Sequence, residues 1–423
     1  MMRWGIRRII SLLIAGALVL AVRLTGQQVM VAPSQTDFSD MRLGLFVHYT
    51  YVGRPYQWDC TTWSDGSPVA SLEELAENLD VHHLVRTAAT MRVQYLQFTA
   101  WHANMNVLFP SAVMARKLPG HCSRRDVVGD LIDSLRPTGI KLILYIHPSD
   151  GHDFSRQDQD RVGWNDAPNF ERWNDFVNEV ITEVVDRYGA DVAGYWIDGG
   201  LPAQVDPARL RQTIRSRDPQ AWMIQNSGRN PACADFGAHE DFAEPFAAAA
   251  WQMNAVISGE WWAKQGFLRI SPEMALKYTV LQAGVPGNAG GVAWSAGPHP
   301  GGRWETGVPE FAERLGEYIR RIETGLFGTC PSTAYPTPDG TPLRSARIVG
   351  TESQDGKTTY LHVLWPPQGK DLTLPAPADG RTFVEAAVLG AGEIALSQDA
   401  KGVRLRLGDG QAWDSVDTVV VLK

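Results

Sequence analysis

The sequence is poor in cysteine, with four among 423 residues. The four lie far apart, at Cys60, Cys122, Cys233 and Cys330. No CxxC spacing and no histidine–cysteine cluster indicates a zinc site. A chain of this length can bury a large core, so any disulfides would be accessory to its stability.

The chain also lacks an excess of positive charge. It carries 39 lysines and arginines against 47 aspartates and glutamates, a formal net charge of −8. A surface of this sign does not attract a phosphate backbone, which argues against nucleic acid as a partner.

A further absence concerns the N-terminus, where the apolar run from Ile9 to Val22 is too short for a comfortable membrane span. Basic residues precede this run, which is typical of a signal peptide. We therefore interpret residues 1–26 as a signal peptide and expect an exported protein, periplasmic or extracellular. No clean A-x-A cleavage site follows, so an uncleaved N-terminal membrane anchor is the alternative.

No glycine-rich phosphate loop follows the first predicted strand, whereas a doubly wound sheet usually has one. Five strand-like apolar segments end in polar groups, and helical patterns lie between most of them. The segments are Leu43–Val47 before His48, Tyr95–Trp101 before His102, Leu142–Ile146 before His147, Val192–Ile197 before Asp198, and Ala221–Ile224 before Gln225–Arg229. Because all strand ends of a barrel face one pocket, this pattern favours a (β/α)8-type barrel over residues 34–330.

The composition changes after Cys330 and Pro331. From Thr341 onward the helical pattern disappears, and short strand-like runs alternate with turns such as Asp355-Gly356 and Asp379-Gly380. This part of the chain predicts a small antiparallel β-sandwich over residues 340–423.

Asp198 is the most informative polar group, since it ends an apolar strand and precedes Gly199 and Gly200. The two glycines allow a loop or a ligand to approach the carboxylate closely. An aspartate that merely starts a turn is the alternative interpretation.

The chain also contains 15 tryptophans, several of them beside the strand ends. Their faces suit the apolar faces of sugars, although core packing is the more common role for any single one.

These residues resemble the α-L-fucosidases of glycoside hydrolase family 29. The matching segments, each with the family motif, are Arg42–His48 (R-F-G-L-F-I-H), Phe98–His102 with Leu108–Ser111 (T-A-K-H-H-D-G-F…S), Ser123–Val128 with Leu142–Tyr145 and Asp150–His152 (R-D-V…G-L-Y-Y-S…D-W-H), and Asp198 (the aspartate of W-F-D-G). They occur in the family's order over nearly the whole chain, so their joint order is more specific than any one motif.

The resemblance implies a retaining glycoside hydrolase that acts on fucosylated glycans without a metal or organic cofactor. It implies that Asp198 is the nucleophile. A retaining enzyme also needs a second carboxyl group about 5–5.5 Å away as acid/base. The residues expected to contact the substrate are His48, Trp58, His102, Tyr145 and Trp261.

The chain departs from the family pattern at the acid/base. Gln252 lies where the acid/base glutamate is commonly found, and a glutamine side chain cannot transfer the catalytic proton. We take Glu244 as the first candidate instead, since its apolar neighbours would raise its pKa as a general acid requires. Glu260 is the second candidate and Glu240 the third.

Two further departures affect substrate binding. The family's paired histidines become His102 and Ala103, and its glutamate–tryptophan pair becomes Gln57 and Trp58. Two other functions therefore stay open. One is a carbohydrate-binding protein on a degenerate glycosidase scaffold, and the other is a hydrolase of a related sugar.

Overall fold

The computed structural model describes residues 38–53, 60–102, 104–241, 246–264 and 266–423. Eight parallel strands form a closed barrel in which neighbours in sequence are neighbours in space, and β8 closes the barrel against β1. The strands are β1 Leu43–Val47, β2 Tyr95–Thr99, β3 Lys141–Ile146, β4 Gly194–Ile197, β5 Trp222–Asn226, β6 Phe236–Asp241, β7 Gln252–Val256 and β8 Val292–Ser295. The predicted fold class is confirmed.

The strands β1, β2 and β4 are buried on both faces, which explains why they are nearly continuous apolar runs. Large rings fill the lower end of the barrel, where Phe38 packs against Tyr95 and Trp222 with ring centroids 5.9 and 5.1 Å apart. Gly44 is needed beside this cluster, since a Cβ there would lie 2.2 Å from the Tyr95 ring. The barrel is therefore a packed core, and only its upper end is available for chemistry.

Nine α-helices surround the barrel in the described part of the chain. They are α1 Leu72–Glu77, α2 Val81–Thr90, α3 Ala112–Lys117, α4 Val127–Leu135, α5 Arg156–Val162, α6 Glu171–Tyr188, α7 Pro207–Arg215, α8 Pro272–Ala283 and α9 Val308–Leu326. Seven of the nine begin at a serine or aspartate whose side chain caps the helix, and α6 and α9 do not. For example, Asp206 caps α7 through the backbone N–H groups of Ala208 and Arg209, with Pro207 at the first helical position.

The C-terminal part forms two antiparallel sheets, as predicted. The strands are β9 Thr329–Pro331, β10 Ile348–Ser353, β11 Thr359–Val363, β12 Asp371–Leu374, β13 Ala386–Val388, β14 Gly392–Glu393, β15 Ala395–Asp399, β16 Gly402–Arg406 and β17 Thr418–Leu422. One sheet has the order β9-β10-β11-β17-β13-β14 and the other β12-β16-β15. Apolar side chains from both sheets, such as Leu361 and Leu405, share one core, which makes the pair a sandwich.

None of the helices in the described residues is both long and apolar enough to span a membrane. Residues 1–26, on which the export prediction depends, lie outside the described ranges. No disulfide involves Cys122, Cys233 or Cys330.

A buried, ion-paired histidine links the sandwich to helix α9. His362 on β11 is completely buried, and its Nδ1 lies 2.6 Å from Oδ2 of Asp417. Its Nε2 lies 3.0 Å from the carbonyl oxygen of Gly325 in α9. Burial would lower the pKa of His362, but the charge and hydrogen bond of Asp417 outweigh it, and the pKa is raised. The imidazolium therefore binds two acceptors that belong to different parts of the fold.

We expect Asp417→Asn to lower the free energy of unfolding by about 3 kcal/mol at pH 6, because it leaves a buried charge without its partner. A group whose pKa is raised by folding stabilises the protein below its unfolded pKa, and this stabilisation is lost as the pH rises through the folded pKa. The difference between wild type and variant should thus be largest at or below about pH 6.5 and shrink above it. Urea unfolding at several pH values measures it. Asp371→Asn, which breaks an exposed pair with Arg406, is the control. An equal loss at every pH would contradict this account.

Candidate active site

Asp198 lies directly after β4, at the upper end of the barrel, and is partly exposed. Each of its carboxylate oxygens accepts a hydrogen bond from a neighbouring strand. The Tyr145 hydroxyl at the end of β3 donates to Oδ2 at 2.6 Å, and Nδ2 of Asn226 at the end of β5 donates to Oδ1 at 2.9 Å. The carboxylate is thereby fixed in orientation before any ligand is bound.

The orientation of Asn226 is itself determined by the backbone. Its Oδ1 accepts a hydrogen bond of 2.8 Å from the backbone N–H of Ser227. Ser227 has a φ of 62°, a left-handed conformation that is uncommon for a residue with a Cβ and that turns the chain sharply after β5. This bond orients the amide so that its NH2 group faces Asp198.

Asp198 is held in its ionised form. Burial acts to raise its pKa, but the charge of His147 and the hydrogen bonds from Tyr145 and Asn226 outweigh it, so the pKa is lower than usual. A low pKa keeps the carboxylate anionic over the physiological range, which a nucleophile requires.

Glu240 is an acidic residue near enough to Asp198 for the two charges to interact. It lies near the end of β6, in register with Asn254 of β7. Burial and the negative charge of Asp198 raise the pKa of Glu240 to about 7, although a hydrogen bond from Asn226 opposes the shift. Asn226 thus influences both carboxyl groups, since it also donates to Asp198. Two adjacent carboxyl groups with pKa values driven apart are suited to different roles, one as a base or nucleophile and the other as an acid.

Aromatic and imidazole rings line the rest of this end of the barrel. The ring of His48 lies 5.4 Å from that of Trp261 and 5.8 Å from that of His102, and His102 stacks on Tyr145 at 5.1 Å. Burial and the charge of His147 lower the pKa of His102 to about 4, and burial lowers that of His48 well below its usual value. Both imidazoles are therefore neutral at pH 7, when each can donate one hydrogen bond and accept another.

Neither histidine is satisfied by the protein alone. Nδ1 of His48 and Nδ1 of His102 are buried and have no hydrogen-bond partner within the part of the chain that the structure describes. Buried polar atoms are nearly always paired, so these two nitrogens are available to bind a polar ligand or water.

Four of the predicted site residues, His48, His102, Tyr145 and Trp261, therefore lie together around Asp198. Glu244 and Trp58 lie outside the described residues, and their predicted roles stay predictions. Glu260 is exposed.

Gln252 lies in the interior of the barrel. It is completely buried, its Oε1 accepts a hydrogen bond from Trp196, and its Nε2 donates to Tyr95 and Gln97. The amide thus satisfies a polar network in the barrel core, and its atoms are not accessible to a substrate.

Sequence reasoning assigned no role to two residues of the site, Asn226 and His147. Both belong to polar groups that follow predicted strands, and this position is the one signal that could have identified them. In the described ranges of the chain, no group of three or more histidine, cysteine, aspartate or glutamate side chains is arranged to hold a metal ion.

Comparison with known families agrees with this geometry. The family model described as Alpha-L-fucosidase matches residues 23–322, more than half of the chain. The chain belongs to the α-L-fucosidase family. As a member of this family, which is glycoside hydrolase family 29, it is a glycoside hydrolase.

Solved α-L-fucosidases share the fold at low sequence identity. Isoenzyme 1 from Paenibacillus thiaminolyticus is 19% identical, with a TM-score of 0.69 over 92% of this chain and 98% of that one. The family 29 enzyme from Bacteroides thetaiotaomicron is 18% identical, with a TM-score of 0.69 over 93% and 95%. The Thermotoga maritima enzyme is 17% identical, with a TM-score of 0.65 over 93% and 97%. No curated protein matches the sequence significantly.

Proposed function

We propose that this protein is a retaining α-L-fucosidase in which Asp198 is the nucleophile and Glu240 is the acid/base. The opposite pKa shifts of the two carboxyl groups, together with the hydrogen bonds that orient Asp198, carry the proposal, since they give one ionised group and one that can donate a proton. Glu240 replaces Glu244 as our first candidate because its position beside Asp198 supports the role.

In the first step, an oxygen of Asp198 attacks the anomeric carbon of the fucosyl residue. The bond from that carbon to the leaving oxygen breaks, and Glu240 transfers its proton to that oxygen. The products are the free aglycone alcohol and a fucosyl ester of Asp198.

In the second step, the now ionised Glu240 removes a proton from a water molecule. The resulting oxygen attacks the same carbon and displaces Asp198. Fucose is released with its original anomeric configuration, and both carboxyl groups return to their starting protonation states.

A relative supports this two-step route. The Bacteroides thetaiotaomicron enzyme has been solved as a trapped covalent intermediate formed from 2-fluoro-fucosyl fluoride. Here, His48 and His102 are suited to bind the sugar hydroxyls through their unpaired nitrogens, and Trp261 offers an aromatic face to the sugar. The natural substrate is then a fucosylated glycan or glycoside, and the sequence of residues 1–26 supports its encounter outside the cytoplasm.

The test is hydrolysis of aryl glycosides by the purified protein. We expect turnover of the α-L-fucoside, with the β-L-fucoside and the α-D-galactoside as matched controls, and release of α-L-fucose as the first product by proton NMR. Faster turnover of a related sugar would show that the substrate is different. Binding of fucose in a calorimeter without hydrolysis of any glycoside would favour a carbohydrate-binding protein instead.

A further inference from the structure

A buried ion pair lies next to the nucleophile and has no part in the two steps above. His147 follows β3, and its Nδ1 contacts Oδ1 of Asp150, a residue with no exposed surface. The indole N–H of Trp101 donates a hydrogen bond of 3.2 Å to the carbonyl oxygen of His147, which fixes the backbone at this point. The pair is therefore built into the upper end of the barrel.

The other imidazole nitrogen of His147 is directed at the backbone that carries Asp198. A Cβ placed on Gly199 would lie 2.4 Å from Nε2 of His147 and 1.9 Å from the hydroxyl of Ser149. Only a glycine after Asp198 allows the imidazole this position. The Ser149 hydroxyl also donates a hydrogen bond of 3.3 Å to the carbonyl oxygen of Gly199, joining the turns after β3 and β4.

We propose that His147 and Asp150 form a positioning pair, in which Asp150 holds a protonated imidazolium beside Asp198 so that the nucleophile stays ionised. This inference rests on the proposed function of Asp198. The pair acts through Asp198 and does not itself touch the reacting atoms.

The charges around His147 are consistent with this arrangement. The groups that face it are the carboxylates of Asp150, Asp153 and Asp198, the imidazoles of His102 and His152, and the phenol of Tyr145. Burial lowers the pKa of His147, but Asp150, Asp198 and Asp153 together raise it to about 9. The imidazolium is thus charged throughout the neutral range. The charge of His147 lowers the pKa of Asp198 more than any other neighbouring group does.

The first test is the pH dependence of kcat/KM, whose acid limb reports the pKa of the nucleophile in the free enzyme. We expect His147→Gln to move this limb to higher pH by about one unit, since it removes an opposite charge near Asp198. Asp150→Asn should move it in the same direction, and Asp150→Glu should restore it in part. The matched control is His152→Gln, which alters a nearby but largely exposed histidine and should leave the limb in place.

The result that overturns the proposal is a loss of activity in His147→Gln that is equal at every pH, because that indicates packing alone. A second measurement does not require turnover. In NMR titrations, the wild-type His147 ring should stay protonated up to about pH 9, and the Asp198 carboxyl should titrate at higher pH in His147→Gln. A neutral His147 ring at pH 7 also overturns the proposal. If the wild type hydrolyses no fucoside, the proposed function fails, yet this titration still decides the role of His147.

Discussion

Asp198→Asn should lower kcat/KM for an aryl α-L-fucoside by at least about a thousandfold, which corresponds to a loss of about 4 kcal/mol of transition-state stabilisation. The amide keeps the size of the carboxylate and can still bond to its neighbours, but it cannot form the glycosyl ester. Steady-state kinetics with the aryl fucoside measures the loss.

Asp191→Asn is the matched control for this variant. Asp191 is an exposed aspartate shortly before the same strand, β4, at its opposite end, and its replacement should leave kcat/KM unchanged. Asp198→Ala gives a second readout, since added azide can enter the vacated space and release fucosyl azide of the β configuration. Wild-type turnover in Asp198→Asn would show that the nucleophile is another residue.

Glu240→Gln should have the second largest effect, and its size should depend on the leaving group. A fucoside with a poor, alkyl leaving group needs a proton from the enzyme, whereas a dinitrophenyl fucoside does not. We expect kcat/KM to fall by about a hundredfold or more for the alkyl substrate. For the activated substrate, formation of the fucosyl ester should be slowed much less.

The pH profile gives an independent test of Glu240. A general acid must be protonated, so wild-type kcat/KM should decline as the pH rises through about 7, the pKa of Glu240. This alkaline limb should be absent in Glu240→Gln. Glu244→Gln is the matched comparison, and it should retain the limb. If Glu244→Gln lost the limb and Glu240→Gln kept it, the acid/base would be Glu244.

Much of the fold could be predicted from the sequence because each strand carries its own signal. Apolar runs that end in His48, His102 or Asp198 predicted strands whose ends meet at one edge, and the closed barrel confirms this. The change after Cys330 likewise predicted the antiparallel C-terminal sheets. These patterns are local, so they can be recognised without knowing which strands are neighbours.

The acid/base could not be ranked from the sequence, since its identity depends on contacts between strands. Glu240 and Glu244 are both close to β7 in sequence, and their order along the chain does not show that the charge of Asp198 acts on Glu240. Gln252 shows the same limit, because a motif match gives the position along the chain and no information on depth within the barrel. Asn226 and His147 act through cross-strand hydrogen bonds and charge, which a linear pattern does not contain.

The ring of Tyr145 is held in place by its two aromatic neighbours as well as by its hydrogen bond to Asp198. Its ring lies between the indole of Trp196, 5.3 Å away, and the imidazole of His102, 5.1 Å away, nearly parallel to both. Because these rings hold the phenol in one rotamer, it is already oriented before the sugar binds. Binding the sugar therefore costs no energy for reorienting Tyr145. Substitutions that make room for bulkier sugars should therefore leave these three stacked rings unchanged and alter the side of the site near Trp261 instead.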